Sequence, residues 1–309
     1  MRTDAKIGLI GAGAVGCYIV TGLYDKYGDH FMVVAEGGRR ERLERDGLII
    51  NGRRYNPRIA APEEAGAEGL DFLIVAVKYT ALRGSLNDIA AAVSEDTCVI
   101  SLLNGIDSEE IIGARIGMRH MLYAFIRIAS ARKGNRIDFP LPEEDFGICV
   151  GEPSGSQERA EAFRSLFDGT QVVCHVSEDI LSGMWDKFAL NISRNLPQAV
   201  LGVGIGAYED SRYVEDLSVK LRGEVVALAA ARGIIVPEHF FYAPSGKAQR
   251  YSTLQDLDAG RETEIEMFSG AMIRMAKETG VPCPYNEAVY DLIKALEEKN
   301  AGKFDYQDG

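Results

Sequence analysis

The chain has 309 residues, 46% of them hydrophobic and 26% charged, with a formal net charge of -12. That length and apolar content suit about two soluble domains with sizeable cores. The acidic balance excludes a general nucleic-acid or anionic-membrane surface, which needs basic patches, and no stretch reaches the roughly 20 apolar residues that span a bilayer.

The first element is KIGLIGAGAVG, Lys6 to Gly16, which runs into CYIVTGLYDKYG. It reads as a strand, a tight turn and a helix, and not as a leader peptide, because Gly8, Gly11, Gly13 and Gly16 interrupt its apolar run. A strand ending in G-x-G-x-x-G fits a dinucleotide-binding turn over Gly11, Ala12, Gly13, Ala14, Val15 and Gly16. The phosphates would lie at the positive end of the helix. A strand-turn-helix that merely needs glycines explains the same residues.

His30 to Ala35 reads as a second, doubly buried strand. Glu36 follows, 20 residues beyond Gly16, where a dinucleotide fold reads the adenosine ribose. An acid there favours NAD, whereas Arg39 and Arg40 just behind it could fork a 2′-phosphate. The cofactor choice stays open at this point, and a solvated helix start is the third explanation. Leu48 to Asn51 and Arg53 to Tyr55 form a predicted hairpin on the Asn51-Gly52 turn.

Asp71 to Val77 and Thr97 to Leu103 are further buried strands, ending at Lys78 and at Asn104-Gly105. Because ligands of open α/β sheets lie beyond the carboxyl ends of the strands, Gly11, Glu36, Lys78 and Asn104 are expected along one edge. His120 to Ser130, Gly147 to Val150 and Gln171 to Val176 read as later strands, Glu158 to Phe167 as a helix, and Arg132 to Asp145 as a polar connection. From about Ser177 the β-rich runs stop and helical periodicity takes over. The expected division is therefore a dinucleotide-binding domain over 1–177 and a helical domain over 178–309. The five scattered cysteines, with no C-x-x-C pair, read as buried thiols of a cytoplasmic protein without a metal site.

In Asp179 to Val200, Lys187, Asn191 and Asn195 recur at i, i+4 and i+8, one face of a regular helix. They are either the solvated side of an amphipathic helix or a functional row. Asparagine, a mediocre helix former, favours the second. In RYSTLQDLDAGRETEIE, Arg250 to Glu266, the polar residues Ser252, Asp256, Gly260, Thr263 and Glu264 precede an apolar helix, and helix capping by Glu262 or Thr263 accounts for them locally.

Taken in order, the N-terminal glycine turn, Val77-Lys78, Leu103-Asn104-Gly105-Ile106, Trp185-x-Lys187-x-x-x-Asn191-x-x-x-Asn195 and Ser252-x-x-x-Asp256-x-x-x-Gly260-Arg261-x-Thr263-Glu264 resemble the ketopantoate reductase (2-dehydropantoate 2-reductase) family over essentially the whole chain. The resemblance implies an α/β fold: an N-terminal Rossmann-type doubly wound parallel sheet with a C-terminal all-helical domain. It implies an enzyme that uses NADPH to reduce ketopantoate to (R)-pantoate for pantothenate and coenzyme A synthesis. By the same resemblance Lys187 is the general acid, Asn191 and Asn195 hold the substrate, Ser252 holds its carboxylate and Glu264 lies near substrate and nicotinamide. Lys78 and Asn104 flank the nicotinamide end.

Two positions depart from the family. Glu36 stands where arginine is frequent, so NAD is not excluded beside NADP, and Gly202 to Ile205 lacks a substrate-side asparagine found in some members. The expected partner is a small 2-oxo acid, with no nucleic acid and no membrane, and the apolar helical faces would suit a homodimer. A reductase of another 2-oxo acid, a 3-hydroxyacid dehydrogenase of the same two-domain plan and a non-catalytic NAD(P)-sensing protein are the alternatives.

Overall fold

The computed structural model describes residues 4–128, 131–133, 136–139, 147–238 and 246–304. The chain divides into two compact units, Met1–Ile180 and Leu181–Gly309.

Unit 1 runs β1 (Ile7–Ile10), α1 (Ala14–Tyr27), β2 (Phe31–Val34), α2 (Gly37–Asp46), β3 (Leu48–Ile50), β4 (Arg53–Tyr55), β5 (Arg58–Ala60), α3 (Pro62–Glu68), β6 (Phe72–Val75), α4 (Tyr79–Ala92), β7 (Cys98–Ser101), α5 (Ser108–Ile116), β8 (Met121–Arg127), β9 (Ala131–Lys133), β10 (Arg136–Asp138), β11 (Gly147–Gly151), α6 (Glu158–Ser165) and β12 (Cys174–Val176). The main sheet has the order β12-β11-β8-β7-β6-β1-β2-β5. From β8 to β5 the strands are parallel, and β11 pairs antiparallel with β8 and parallel with β12.

β1, β2, β6 and β7 are buried along their whole length, as strands covered on both faces must be. Their alternating side chains feed two separate cores. Ile7, Leu9 and Ile74 pack with α1 residues Cys17, Val20 and Leu23 and with Phe163 of α6. Ile10, Leu73 and Val75 pack with Ala65 of α3, Leu82 and Ile89 of α4 and Ile112 of α5. The sheet is thus doubly wound.

A second sheet, β4-β3-β10-β9, corrects the reading of Arg132 to Asp145 as a polar connection. Its residues 131–133 and 136–138 form an antiparallel pair, and β10 lies parallel to β3. These three-residue strands carry charges and no strong propensity; pairing makes them strands, with Asn51 accepting the Phe139 N–H at 2.7 Å and donating its own N–H to the Ile137 carbonyl at 3.0 Å. The Asn51-Gly52 hairpin forms as expected, with φ of 48° and 77°. Residues 129–130 of the expected strand His120–Ser130, and 134–135 and 140–145 of the polar connection read from sequence, lie outside the described residues.

Unit 2 has no strand among its described residues. It contains α7 (Ile180–Leu190), which begins at the boundary, then a π-helical turn at Asn191–Asn195, α8 (Leu196–Leu201), α9 (Ala207–Asp210), α10 (Arg212–Ala231), α11 (Ser252–Asp258), a second π turn at Glu266–Gly270, α12 (Ala271–Thr279) and α13 (Pro284–Asn300). Phe188 anchors the core of this unit between Trp185, ring centroids 6.0 Å apart, and Phe268 of the second π turn at 6.4 Å. The buried Glu224 of α10 caps α13: its carboxylate accepts the N–H groups of Tyr285 at 2.8 Å and Asn286 at 2.9 Å, where the helix dipole favours an anion. No helix among the described residues is long and apolar enough to cross a membrane.

Candidate functional site

In unit 1 the chain leaves β1 to one side for β2 and to the other for β6, so the switch point of the sheet lies beyond the carboxyl ends of β1 and β6. Gly11 stands there with φ of +99°, a conformation costly for any residue with a β-carbon. Such a carbon would also lie 2.6 Å from the Ala76 carbonyl carbon and oxygen and 2.7 Å from the Val77 nitrogen. On Gly16 it would stand 1.9 Å from the Gly11 carbonyl oxygen, so only glycine lets α1 pack this close to the turn. On Gly13 it would meet nothing within 4 Å.

The three glycines thus divide the work: Gly11 and Gly16 are demanded by the protein's own backbone, and Gly13 leaves open space. Gly13 is also the N-cap of α1, makes no side-chain capping bond, and no acidic residue occupies the first turn. The helix start is therefore suited to accept an anion. Ala12, Ala14 and Val15 are half-buried against the core below it.

The other strand ends fall in line. Val75 pairs with Ile10 and Ser101, and Leu9 with Val33, so the ends of β7, β6, β1 and β2 share one edge. That edge carries Asn104, Lys78, Gly11 and Glu36. Lys78 is exposed at the N-cap of α4, Asn104 is half-buried, and Glu36 is exposed at the N-cap of α2. Arg40 is taken up by Glu44 at 2.8 Å and Glu64 at 3.1 Å. Arg39 is exposed and makes no ion pair among the described residues.

Sequence reasoning missed a buried acid behind Asn104. Glu109 in the first turn of α5 is 1% exposed, and burial pushes its carboxyl up to about 8. Ser108 Oγ lies 2.9 Å from its Oε2 and 2.8 Å from Ser101 Oγ at the end of β7. The chain of three polar groups ties the start of α5 to the strand and so fixes the 102–107 loop that carries Asn104. An acid in a first helical turn looks like an ordinary dipole partner in sequence, which is why nothing singled it out.

In unit 2, Lys187 and Asn195 are buried, 9% and 5% exposed, and Asn191 is half-buried. They are not the solvated face of an amphipathic helix. Nor is the helix regular. In a continuous α-helix each step of four residues overshoots by about 40°, so Asn195 would stand about 80° round from Lys187. The π turn at Asn191–Asn195, with its i→i+5 bonds, advances less per residue and returns Asn195 toward the line of Lys187.

Pro197, two residues past the turn, is consistent with it. A proline ring clashes with the carbonyl four residues earlier, that of Ser193, and offers it no N–H; widening the preceding turn relieves the clash. Ser193 itself, fully buried, donates its hydroxyl to the Ala189 carbonyl at 2.7 Å.

The third group of residues separates into two roles. Ser252 is exposed in the first turn of α11, and Glu264 is half-buried. The remaining motif residues shape the chain between them. Asp256 is buried and ion-paired to Arg261 at 2.7 Å. Thr263 gives both its N–H, at 2.7 Å, and its hydroxyl, at 2.6 Å, to one oxygen of Glu297. Those bonds and Lys294 hold the Glu297 carboxyl below its usual range despite burial. The Ile265 N–H donates to Thr263 Oγ1 at 3.2 Å, but the turn that follows is capped at Ile265 without a side-chain bond, so the capping read from sequence is not what Thr263 does here.

Comparison with known proteins extends these observations. The family model described as ketopantoate reductase PanE/ApbA matches residues 7–140, and the model described as ketopantoate reductase PanE/ApbA C terminal matches residues 179–297. The 2-dehydropantoate 2-reductase of Pyrococcus horikoshii is 29% identical over 306 residues, 96% of this chain and 99% of its own. Among solved structures, the ternary complex of D-mandelate dehydrogenase with NADH and anilino(oxo)acetate aligns with a TM-score of 0.81 at 22% identity, over 96% of this chain and 99% of that one. The 2-dehydropantoate 2-reductase from Methylococcus capsulatus aligns with a TM-score of 0.78 at 24% identity, over 96% and 97%. At these identities the structural likeness speaks for the fold.

Proposed function

The chain belongs to the ketopantoate reductase family, and from that premise we propose that this oxidoreductase reduces 2-dehydropantoate to (R)-pantoate with NADPH, Lys187 giving the proton. The observation that carries the reading is the setting of Lys187: a buried lysine on a helix whose irregular turn brings an equally buried asparagine back into its line.

Reduction of a 2-oxo acid places negative charge on the carbonyl oxygen. The nicotinamide supplies the hydride when bound. The Lys187 ammonium stabilises the oxygen charge and donates the proton, and burial strengthens both effects by excluding water. Asn191 and Asn195 orient the substrate, since an amide offers a donor and an acceptor and does not compete for the proton. Ser252 donates to the carboxylate, and Glu264 lies by the substrate and the nicotinamide.

In unit 1 the uncapped start of α1 and the open space over Gly13 fit a pyrophosphate, so the residues present suit a dinucleotide. Lys78 and Asn104 bound its nicotinamide end. Arg39, which has no ion pair among the described residues, takes the 2′-phosphate, while Glu36 accepts ribose hydroxyls and keeps NADH a weaker substitute.

One observation favours a second reading, reduction of a different 2-oxo acid. Where some relatives carry an asparagine, a β-carbon on Gly204 would lie 2.2 Å from the Lys247 carbonyl oxygen, and Ile205 is buried, 2% exposed. No polar group is offered there to a substrate hydroxyl. Absorbance assays with ketopantoate, 2-oxoisovalerate and phenylglyoxylate, each with NADPH and NADH, test both readings. Fastest turnover of ketopantoate with NADPH supports the first; a preference for the acids without a hydroxyl supports the second; no oxidation of either cofactor overturns both.

A further inference from the structure

Gln198, three residues beyond Asn195, has its side chain wholly buried in a helix otherwise lined by Leu196, Pro197 and Ala199. Its amide makes two long-range bonds: Oε1 accepts the Tyr251 N–H at 2.6 Å, and Nε2 donates to the Gln249 carbonyl at 3.0 Å. A carbonyl and an N–H two residues apart on an extended segment are the pair that a neighbouring strand would satisfy. Only a side-chain amide carries the matching acceptor and donor on one planar tip. Gln198 thus takes the place of a strand that this helical unit lacks.

The segment so held has no other regular structure. It is secured further by the Ile205 N–H to the Gln249 carbonyl at 3.1 Å and the Gly206 N–H to the Lys247 carbonyl at 3.0 Å. Ser252 begins α11 immediately after it. The main-chain carbonyl of Gln198 meanwhile closes α8, accepting the Gly202 N–H at 2.9 Å. One residue therefore joins the helix that carries Lys187, Asn191 and Asn195 to the segment that carries Ser252.

We propose that Gln198 is a positioning residue for the 2-oxo acid: its amide clamp on Gln249 and Tyr251 sets the place of Ser252 relative to Asn195, and so sets substrate affinity without touching substrate. The inference rests on Ser252 being the carboxylate ligand, and the test separates the two claims.

The variants are Gln198→Leu, which removes both bonds, Gln198→Glu, which keeps the acceptor for Tyr251 and loses the donor to Gln249, Ser252→Ala, and Gln198→Leu with Ser252→Ala. KM and kcat are measured with NADPH and whichever of ketopantoate or phenylglyoxylate the wild type reduces faster. The expected result for Gln198→Leu is a KM for the 2-oxo acid raised about tenfold, the scale of one or two lost hydrogen bonds, with KM for NADPH unchanged and a smaller rise for Gln198→Glu. The double variant is expected to bind the 2-oxo acid no more weakly than Ser252→Ala alone, because Gln198 acts through that serine.

Additive losses, or an equal rise in the KM of NADPH, mean that Gln198 only supports the fold and overturn the proposal. Unchanged KM in Gln198→Leu or in Gln198→Glu alongside a raised KM in Ser252→Ala also overturns it. Unchanged KM in Ser252→Ala overturns instead the role of Ser252. Should Gln198→Leu not fold, Gln198→Glu decides: its Tyr251 amide should keep the slow hydrogen exchange of the wild type, because that acceptor remains, while the KM of the 2-oxo acid rises through loss of the bond to Gln249; an unchanged KM there overturns the proposal.

Discussion

Gly16 lies against Gly11 so closely that a single methyl on the first would stand 1.9 Å from the carbonyl oxygen of the second, whereas Gly13 between them faces open space. Two substitutions of the same size should therefore fail differently. Gly16→Ala forces backbone apart and is expected to cost about 2 kcal/mol or more, lowering the melting temperature of the free protein by about 5 °C or more. Gly13→Ala is expected to melt within about 1 °C of wild type yet to raise the KM of NADPH at least about tenfold, because its methyl occupies the anion's place. Equal melting temperatures for the two variants would sink this division of labour.

Lys187→Ala removes the proposed proton donor. General acid help is typically worth about 10²–10⁴-fold, so turnover is expected to fall at least about 100-fold. The dissociation constant of NADPH, read by fluorescence titration, should hardly move. Turnover near the wild-type rate would remove the mechanism.

Arg39 and Arg40 are adjacent in sequence and differently engaged in the fold. Arg40 is occupied by Glu44 and Glu64, and Arg39 makes no ion pair among the described residues. Arg39→Ala is expected to raise the KM of NADPH about 10- to 100-fold, the value of charge-assisted hydrogen bonds to a phosphate. KM for NADH should stay the same. Arg40→Ala should change either constant less than about threefold. An equal effect of Arg39→Ala on both cofactors contradicts contact with the 2′-phosphate.

Glu109 should leave a mark on stability. Burial raises its carboxyl from 4.5 to about 8 in the folded protein, so the folded state binds the proton more tightly than the unfolded chain does. The stability this contributes is complete below about pH 4.5 and is lost as pH rises toward 8, at up to about 1.4 kcal/mol per pH unit. Glu109→Gln keeps the neutral shape and cannot ionise. Its melting temperature relative to wild type should therefore climb steadily from pH 5 to pH 8; parallel profiles would show that the carboxyl titrates normally.

What could be read from sequence followed the range of the interactions involved. The glycine turn and the Asn51-Gly52 hairpin are local geometry, so the residues name them. The convergence of Glu36, Lys78 and Asn104 near Gly11 was legible because parallel strands share one carboxyl edge. Strands β9 and β10 were not, since charged three-residue segments become strands only through pairing: Arg136 of β10 lies opposite Ile49 of β3, distant in sequence, and β9 is held by β10 alone. The spacing of Lys187, Asn191 and Asn195 looked like an unbroken helix, and the turn that alters it was hidden in Pro197, a residue that reads only as a helix interruption. Gln198 gave one faint signal, a lone amide among apolar neighbours, while its partners lie 51 and 53 residues away.

Pro197 has a further consequence. It is given no part in the chemistry, yet its ring bears on the screw angle at which the rest of the helix continues. Replacement by a residue with an N–H would let the ladder close by one step, and the chain from the end of the irregular turn at Asn195 onward would swing by up to about 100° around the axis. Asn195 and Gln198 would turn away together, one from the substrate and the other from the segment before Ser252. Variation at this position is thus a change of gearing for two distant parts of the chain at once, and relatives with another residue here are expected to hold their substrate by a different set of contacts.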